Sequence, residues 1–171
     1  MSIEMQELPV ARHIPQYNIY GNDVEIGKNF TVGNFNIFED DVIIGDNVTL
    51  RDYIKLYKGT VIGDGTLIGS FVRTGRNCRI GKNCILKTHA VVSPDNILGD
   101  SVILGPGAII LHETHKGEHK IGKIGNNVYI GAGAMIAPGV TIADRVVIGA
   151  MAYVTKDCLE EGRIYKGIPA K

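Results

Sequence analysis

A six-residue metre governs this chain. Every sixth residue from Ile26 gives Val32, Phe38, Ile44, Leu50, Leu56, Ile62, Ile68, Thr74, Ile80, Leu86, Val92, Leu98, Leu104 and Ile110, with Thr74 the one polar member. The series then stops, and resumes at Ile124 through Ile130, Ile136, Ile142, Ile148 and Val154. At 44% hydrophobic residues, chance gives such a run less often than about once in ten thousand trials. A repeat of six is the signature of a parallel β-helix.

A longer period rides on the first. Every third hexad opens with nearly the same word: IGKN at Ile26, IGDN at Ile44, IGDG at Ile62, IGKN at Ile80, LGDS at Leu98, IGNN at Ile124 and IADR at Ile142. Three hexads therefore close one coil of a triangular prism, and Asn29, Asn47, Gly65, Asn83 and Asn127 fall where a left-handed residue turns the corner. Seven coils at ~4.8 Å each predict a prism roughly 34 Å long. Two residues before each anchor runs a column of small side chains, among them Val42, Val72, Ala90 and Ala134, suited to a narrow interior. Cys78, Cys84 and Cys158 share that column, so they read as buried apolar groups rather than disulfide partners or metal ligands.

Composition narrows the function. Lys plus Arg and Asp plus Glu stand at 18 each, which leaves no overall field to gather nucleic acid, anionic membrane or basic partners. The opening MSIEMQELPVARHIPQY lacks a basic segment followed by an apolar run, and no stretch of ~18 apolar residues occurs. A cytoplasmic, soluble protein with small-molecule partners or copies of itself is expected.

The triplets of [LIV]-G-x-x-[STAVC]-x over residues 24 to 171 resemble the hexapeptide-repeat acyltransferases. That resemblance implies an all-β, left-handed parallel β-helix with one extruded loop; the hand comes from the family, since general rules favour right-handed parallel crossovers. The expected layout is an N-terminal arm or cap over residues 1–23, a β-helix over 24–157 with the loop at 111–123, and a C-terminal tail over 158–171.

Between Ile110 and Ile124 the metre breaks, and HETHKGEHK fills the gap. Solenoid insertions collect where function is placed. The flanking runs LGPGAIILHETH, IGNNVYIGAGAMIAPGVTI, AMAYVTKD and GIPAK are similar to the closing third of sugar and xenobiotic acetyltransferases of that superfamily, which carry a catalytic histidine in this loop. Counted from Leu104 by the galactoside type, the general base falls on His115; His112 and His119 stand within a short gap of it. Imidazole suits the task, because moving an acetyl group from a thioester to a hydroxyl or amine requires a proton acceptor near neutral pH. No Gly-x-Ser-x-Gly elbow occurs, so direct transfer is expected over a covalent acyl-enzyme.

The stretch from His89 to Leu104 also resembles nucleotide-linked amino-sugar N-acetyltransferases. By the hexad count His89 shares a corner with Phe35, Tyr53 and Phe71, which reads either as a stacked surface ladder or subunit contact, or as a third catalytic candidate facing a neighbouring subunit's loop. By resemblance the acceptor is a sugar or nucleotide-linked sugar, and the protein a homotrimer using acetyl-CoA. Gly131, Ala132, Gly149 and Ala150 would admit the pantetheine arm; Lys156, Lys166 and Lys171 are candidates for the CoA phosphates. Two other readings stand beside this one: a β-helix scaffold without activity, and a zinc enzyme like the γ-class carbonic anhydrases. The histidine spacing fits the zinc pattern poorly, and no metal is expected. His13 reads as structural or merely exposed.

Overall fold

The computed structural model describes residues 17–171, so His13 and the rest of the chain through residue 16 lie outside the described residues. Strands of two residues alternate with four-residue turns and gather into three parallel sheets of eight, seven and eight strands. The first runs from Ile19–Tyr20 to Tyr153–Val154, the second from Glu25–Ile26 to Thr141–Ile142, and the third from Thr31–Val32 to Ile164–Tyr165. Together they make a left-handed parallel β-helix of about eight turns.

Register follows the eighteen-residue word. Ile43 pairs with Val61, Val61 with Arg79 and Arg79 with Ile97; across the break Ile97 pairs with Lys123, so the insertion leaves the sheets in step. Because successive side chains of a strand point to opposite faces, the anchor of each hexad is buried and its predecessor faces out. Leu56, Ile68, Leu86, Leu104 and Ile130 are fully enclosed. Val42, Ala90, Ala134 and all three cysteines fill the space beside them. Ile26 departs from this pattern at 42% exposure, because it lies in the end strand of its sheet.

Thr74 is buried in its turn as an anchor. Its hydroxyl lies 2.9 Å from that of Thr60 and accepts the Tyr57 N–H at 3.1 Å. Thr60 completes the set by donating to the Gly75 carbonyl, so the one polar anchor is fully satisfied.

The solenoid extends past the anchor series at both ends, which yields more turns than the seven expected. Ile19–Tyr20 pairs with Ile37–Phe38, inside the stretch expected to be an arm, and the Tyr20 ring packs 4.9 Å from that of Phe38. At the other end Ile164–Tyr165 joins Val147–Ile148, and Cys158 bridges Ile142.

Each corner has its own chemistry. Between the second and third sheets the expected Asn29, Asn47, Gly65, Asn83 and Asn127 are all left-handed. Beside them Asp46, Asp64, Asp100, Asn126 and Asp144 each accept a backbone N–H from the coil before, at 2.7 to 3.0 Å; this is why the words repeat Asp or Asn after the glycine. Between the third and first sheets runs the aromatic column: Tyr17, Phe35, Tyr53, Phe71 and His89 stack with centroids 4.9 to 5.6 Å apart. The corner between the first and second sheets holds the insertion.

Candidate active site

The insertion leaves the prism after Ile110 as a small hairpin. Glu113 and His119 form an antiparallel bridge, Lys120 N–H donates to the His112 carbonyl at 2.6 Å, and Gly117 turns the tip with φ of 76°. The Thr114 hydroxyl accepts from the N–H groups of Lys116 and Glu118. At its base the loop is clamped by fully buried Asn96, which donates to the Leu111 carbonyl at 3.3 Å and accepts the Gly122 N–H at 2.6 Å. One amide on the coil beneath thus holds both ends of the insertion.

Of the three loop histidines, two are brought together. The rings of His112 and His119 meet edge to face, 4.8 Å apart at 74°. His119 Nε2 lies 2.8 Å from Asp95 Oδ2. Asp95 occupies the left-handed position of its corner and also accepts from Asn77 at 3.0 Å. Burial pushes the Asp95 carboxyl up, but the hydrogen bonds from Asn77 and His119, with the nearby charge of Arg76, hold it below its ordinary value. His115 is exposed at the hairpin tip.

His112 is half-buried and edges a cleft of about 520 Å³ on the first sheet. Its lining includes Tyr57, Lys58, Arg73 and Arg76, together with Thr74, Gly75, Val92 and Pro94. Gly75 has no room for a side chain, since a Cβ there would run into the ring of Pro94. Asp95, Asn96, Arg73 and Arg76 did not stand out in the sequence. The one hint was Arg73, which interrupts an outward-facing column that holds Ile19, Ile37, Val91, Ile109 and Met135.

His89 lies apart from this group. It caps the aromatic column on the opposite edge of the first sheet, one face against Phe71 at 4.9 Å. The expected pantetheine residues lie on that same corner, farther along. Gly131 is closed to any side chain, because a Cβ would collide with the backbone nitrogen of Ala150, while Ala132 and Ala150 are exposed. Lys166 packs over Gly149 and shares backbone hydrogen bonds with Lys171. Lys156 is on the loop's corner instead, so these three lysines do not form one cluster. Among the described residues no three His, Cys, Asp or Glu side chains converge on a metal site, and no helix is long and apolar enough to cross a membrane.

Residues 59–94 and 122–156 match the profile of the bacterial transferase hexapeptide family (six repeats). Over 48 residues the chain is 54% identical to a chloramphenicol acetyltransferase of Agrobacterium fabrum, covering 28% of this chain and 22% of that protein. The corresponding figures for the galactoside O-acetyltransferase of Escherichia coli are 50% over 48 residues, 28% and 23%. The chain thus spans less than a quarter of the length of either relative. Among solved structures, the acetyltransferase domain of PglB from Neisseria gonorrhoeae, in complex with acetyl coenzyme A, superposes with a TM-score of 0.65 at 25% identity, over 72% of this chain and 56% of that one. A UDP-N-acetylglucosamine acyltransferase from Campylobacter jejuni shares the fold with a TM-score of 0.68 at 18% identity, over 89% and 71% of the two chains.

Proposed function

We propose that the chain, whose residues 59–94 and 122–156 match the bacterial transferase hexapeptide profile, is a hexapeptide-repeat transferase that moves an acetyl group from acetyl-CoA directly to a hydroxyl or amino group of a sugar or nucleotide-linked sugar, with a loop histidine as general base. The observation that carries this reading is the His112–His119–Asp95 arrangement at the lip of a cleft large enough for a small acceptor.

Asp95 holds one nitrogen of His119, and His119 in turn props the ring of His112 against the cleft. His112 takes the proton from the acceptor's O–H or N–H as that atom attacks the thioester carbonyl; the C–S bond breaks and the proton passes to the departing CoA sulfur. Acetyl-CoA supplies the activated acyl group. The tight corner at Gly131 and Gly149, with exposed Ala132 and Ala150 beside it, fits a thin chain lying against backbone, and Lys166, packed over Gly149, and Lys171, bonded to Lys166 through the backbone, are the candidates for the phosphates. With cytoplasmic acetyl-CoA as donor, the proposed reaction belongs to the cytoplasm.

A second reading of the base rests on the exposure of His115 at the hairpin tip, where the loop can reach an adjoining subunit of a homotrimer. Single alanine variants at 112, 115 and 119, assayed for CoA release with a panel of sugar acceptors, separate the two. His112→Ala is expected to lower kcat by about 10²- to 10⁴-fold with little change in melting temperature. Collapse in His115→Ala with His112→Ala spared would move the reaction to a cleft between subunits. Turnover unchanged in all three variants would remove the loop from the chemistry.

A further inference from the structure

We infer that the cleft beside His112 binds an anionic group, a phosphate or carboxylate, on Arg73 and Arg76, and that the acceptor supplies it. Naming the ligand an acceptor rests on the transferase reading; the anion site itself does not.

The charges that line the cleft are unequally paired. The cleft is lined by one carboxylate, Glu39, and three cations, Lys58, Arg73 and Arg76. Glu39 is fully engaged: Oε1 holds the Lys55 ammonium at 3.0 Å and Oε2 accepts the Lys58 backbone N–H at 3.1 Å. Lys55 is settled further by the Tyr57 ring, 4.2 Å below its nitrogen. The Lys58 ammonium leans away to Asp41 at 3.3 Å. Neither arginine forms an ion pair among the described residues. Arg76 does sense Asp95, yet the hydrogen bonds of that carboxylate go to Asn77 and His119.

Two guanidinium groups therefore face one cleft without a committed acceptor. Each carries five N–H donors in a planar fork matched to the paired oxygens of phosphate or carboxylate. Arg73 projects from the strand Arg73–Thr74 and Arg76 from the turn that follows it, so both positions are fixed by backbone that the neighbouring coils hold. An acceptor whose anionic group sits there keeps its remaining atoms inside the same cleft, whose edge is His112. Specificity follows: a neutral sugar leaves both forks unfilled, whereas a sugar phosphate or acidic sugar fills them.

Titration calorimetry of the full chain with galactose 1-phosphate and with galactose, in the absence of acetyl-CoA, tests the site directly. The phosphate ester should bind at least about tenfold more tightly than the free sugar, and a rise from 0.05 to 0.5 M salt should narrow that gap. Arg73→Gln/Arg76→Gln should abolish the preference while leaving the thermal midpoint within about 2 °C and the acetyl-CoA affinity within about twofold of the parent; Arg73→Lys/Arg76→Lys should retain part of it. Equal binding of ester and sugar by the parent overturns the inference. So does loss of acetyl-CoA affinity in the Gln variant with the ester unaffected, which would hand the arginines to the phosphates of CoA. Failure of the parent to bind acetyl-CoA at all would sink the transferase reading alone, since the ester preference is measured without it.

Discussion

Phe71 shows what a single position contributes to this fold. It sits at φ of 61°, in the left-handed region that L-residues other than glycine enter at a cost of about 1–2 kcal/mol. The repeated corner turn holds it there, its N–H donating to the Asp52 carbonyl at 3.1 Å, and its ring is stacked on both faces, 5.0 Å from Tyr53 and 4.9 Å from His89. Each such pair contributes about 0.5–1.5 kcal/mol. Phe71→Ala therefore loses both stacks and keeps the strained backbone, lowering stability by about 1–3 kcal/mol, whereas Phe71→Gly recovers about 1 kcal/mol of it. Urea midpoints in the order parent, Gly, Ala bear this out; Ala above Gly, the usual ranking, contradicts it. The buried thiols mark the opposite case, residues whose chemistry the fold suppresses. Burial pushes Cys78 up to about 12 and Cys158 up to about 11, so neither is an effective nucleophile at neutral pH.

At the scale of the element, the hairpin is held in two ways that respond differently to pH. The Asn96 clamp at its base carries no charge and is indifferent to proton concentration. The tether from His119 to Asp95 is not. A carboxyl held below its ordinary value of about 3.9 contributes stability that is fully present above that value and is lost as pH falls through the lower, folded one. The hairpin should thus loosen in acid, as Asp95 takes up a proton below about pH 4. Asp95→Ala should loosen it above that pH, accelerating hydrogen exchange of the Lys120 amide by about fivefold or more while sheet amides such as that of Ile85 are unaffected. Unchanged exchange at Lys120 would mean that Asn96 alone holds the loop. Little of this arrangement was legible in the sequence. The broken metre marked the loop and its histidines, because an insertion in a strict repeat cannot hide. The pairing of His119 with Asp95, and the grip of Asn96 on Leu111 and Gly122, depend on which side chains of the coil beneath stand under the loop, and the period is silent on that.

The whole molecule was the easiest part to read, and for a physical reason. Each coil meets the same demands as its neighbours, so one rule, an apolar anchor every sixth residue, is restated down the chain until chance is excluded. Outward-facing positions obey no such rule, which is why Arg73 and Arg76 passed unremarked. Those positions also bear on assembly. The outer face of the third sheet presents Leu67, Ile85, Ile103, Tyr129, Val147 and Ile164, an apolar stripe suited to packing against a second prism. Light scattering is expected to give three times the chain mass of 18.5 kDa, and Ile103→Asp to reduce it to one; a monomeric parent would leave the proposed cleft within one chain. The repeat finally makes the protein a graduated ruler. Arg76 and His112 are separated by whole rungs, each ~4.8 Å, and distances along the axis can change only by adding or removing a coil. Inserting eighteen residues between the arginines and the hairpin would lengthen the reach of the cleft by one graduation and repeat the same pattern of buried contacts, so the span between anchor point and reacting atom is measured out in fixed increments rather than tuned continuously.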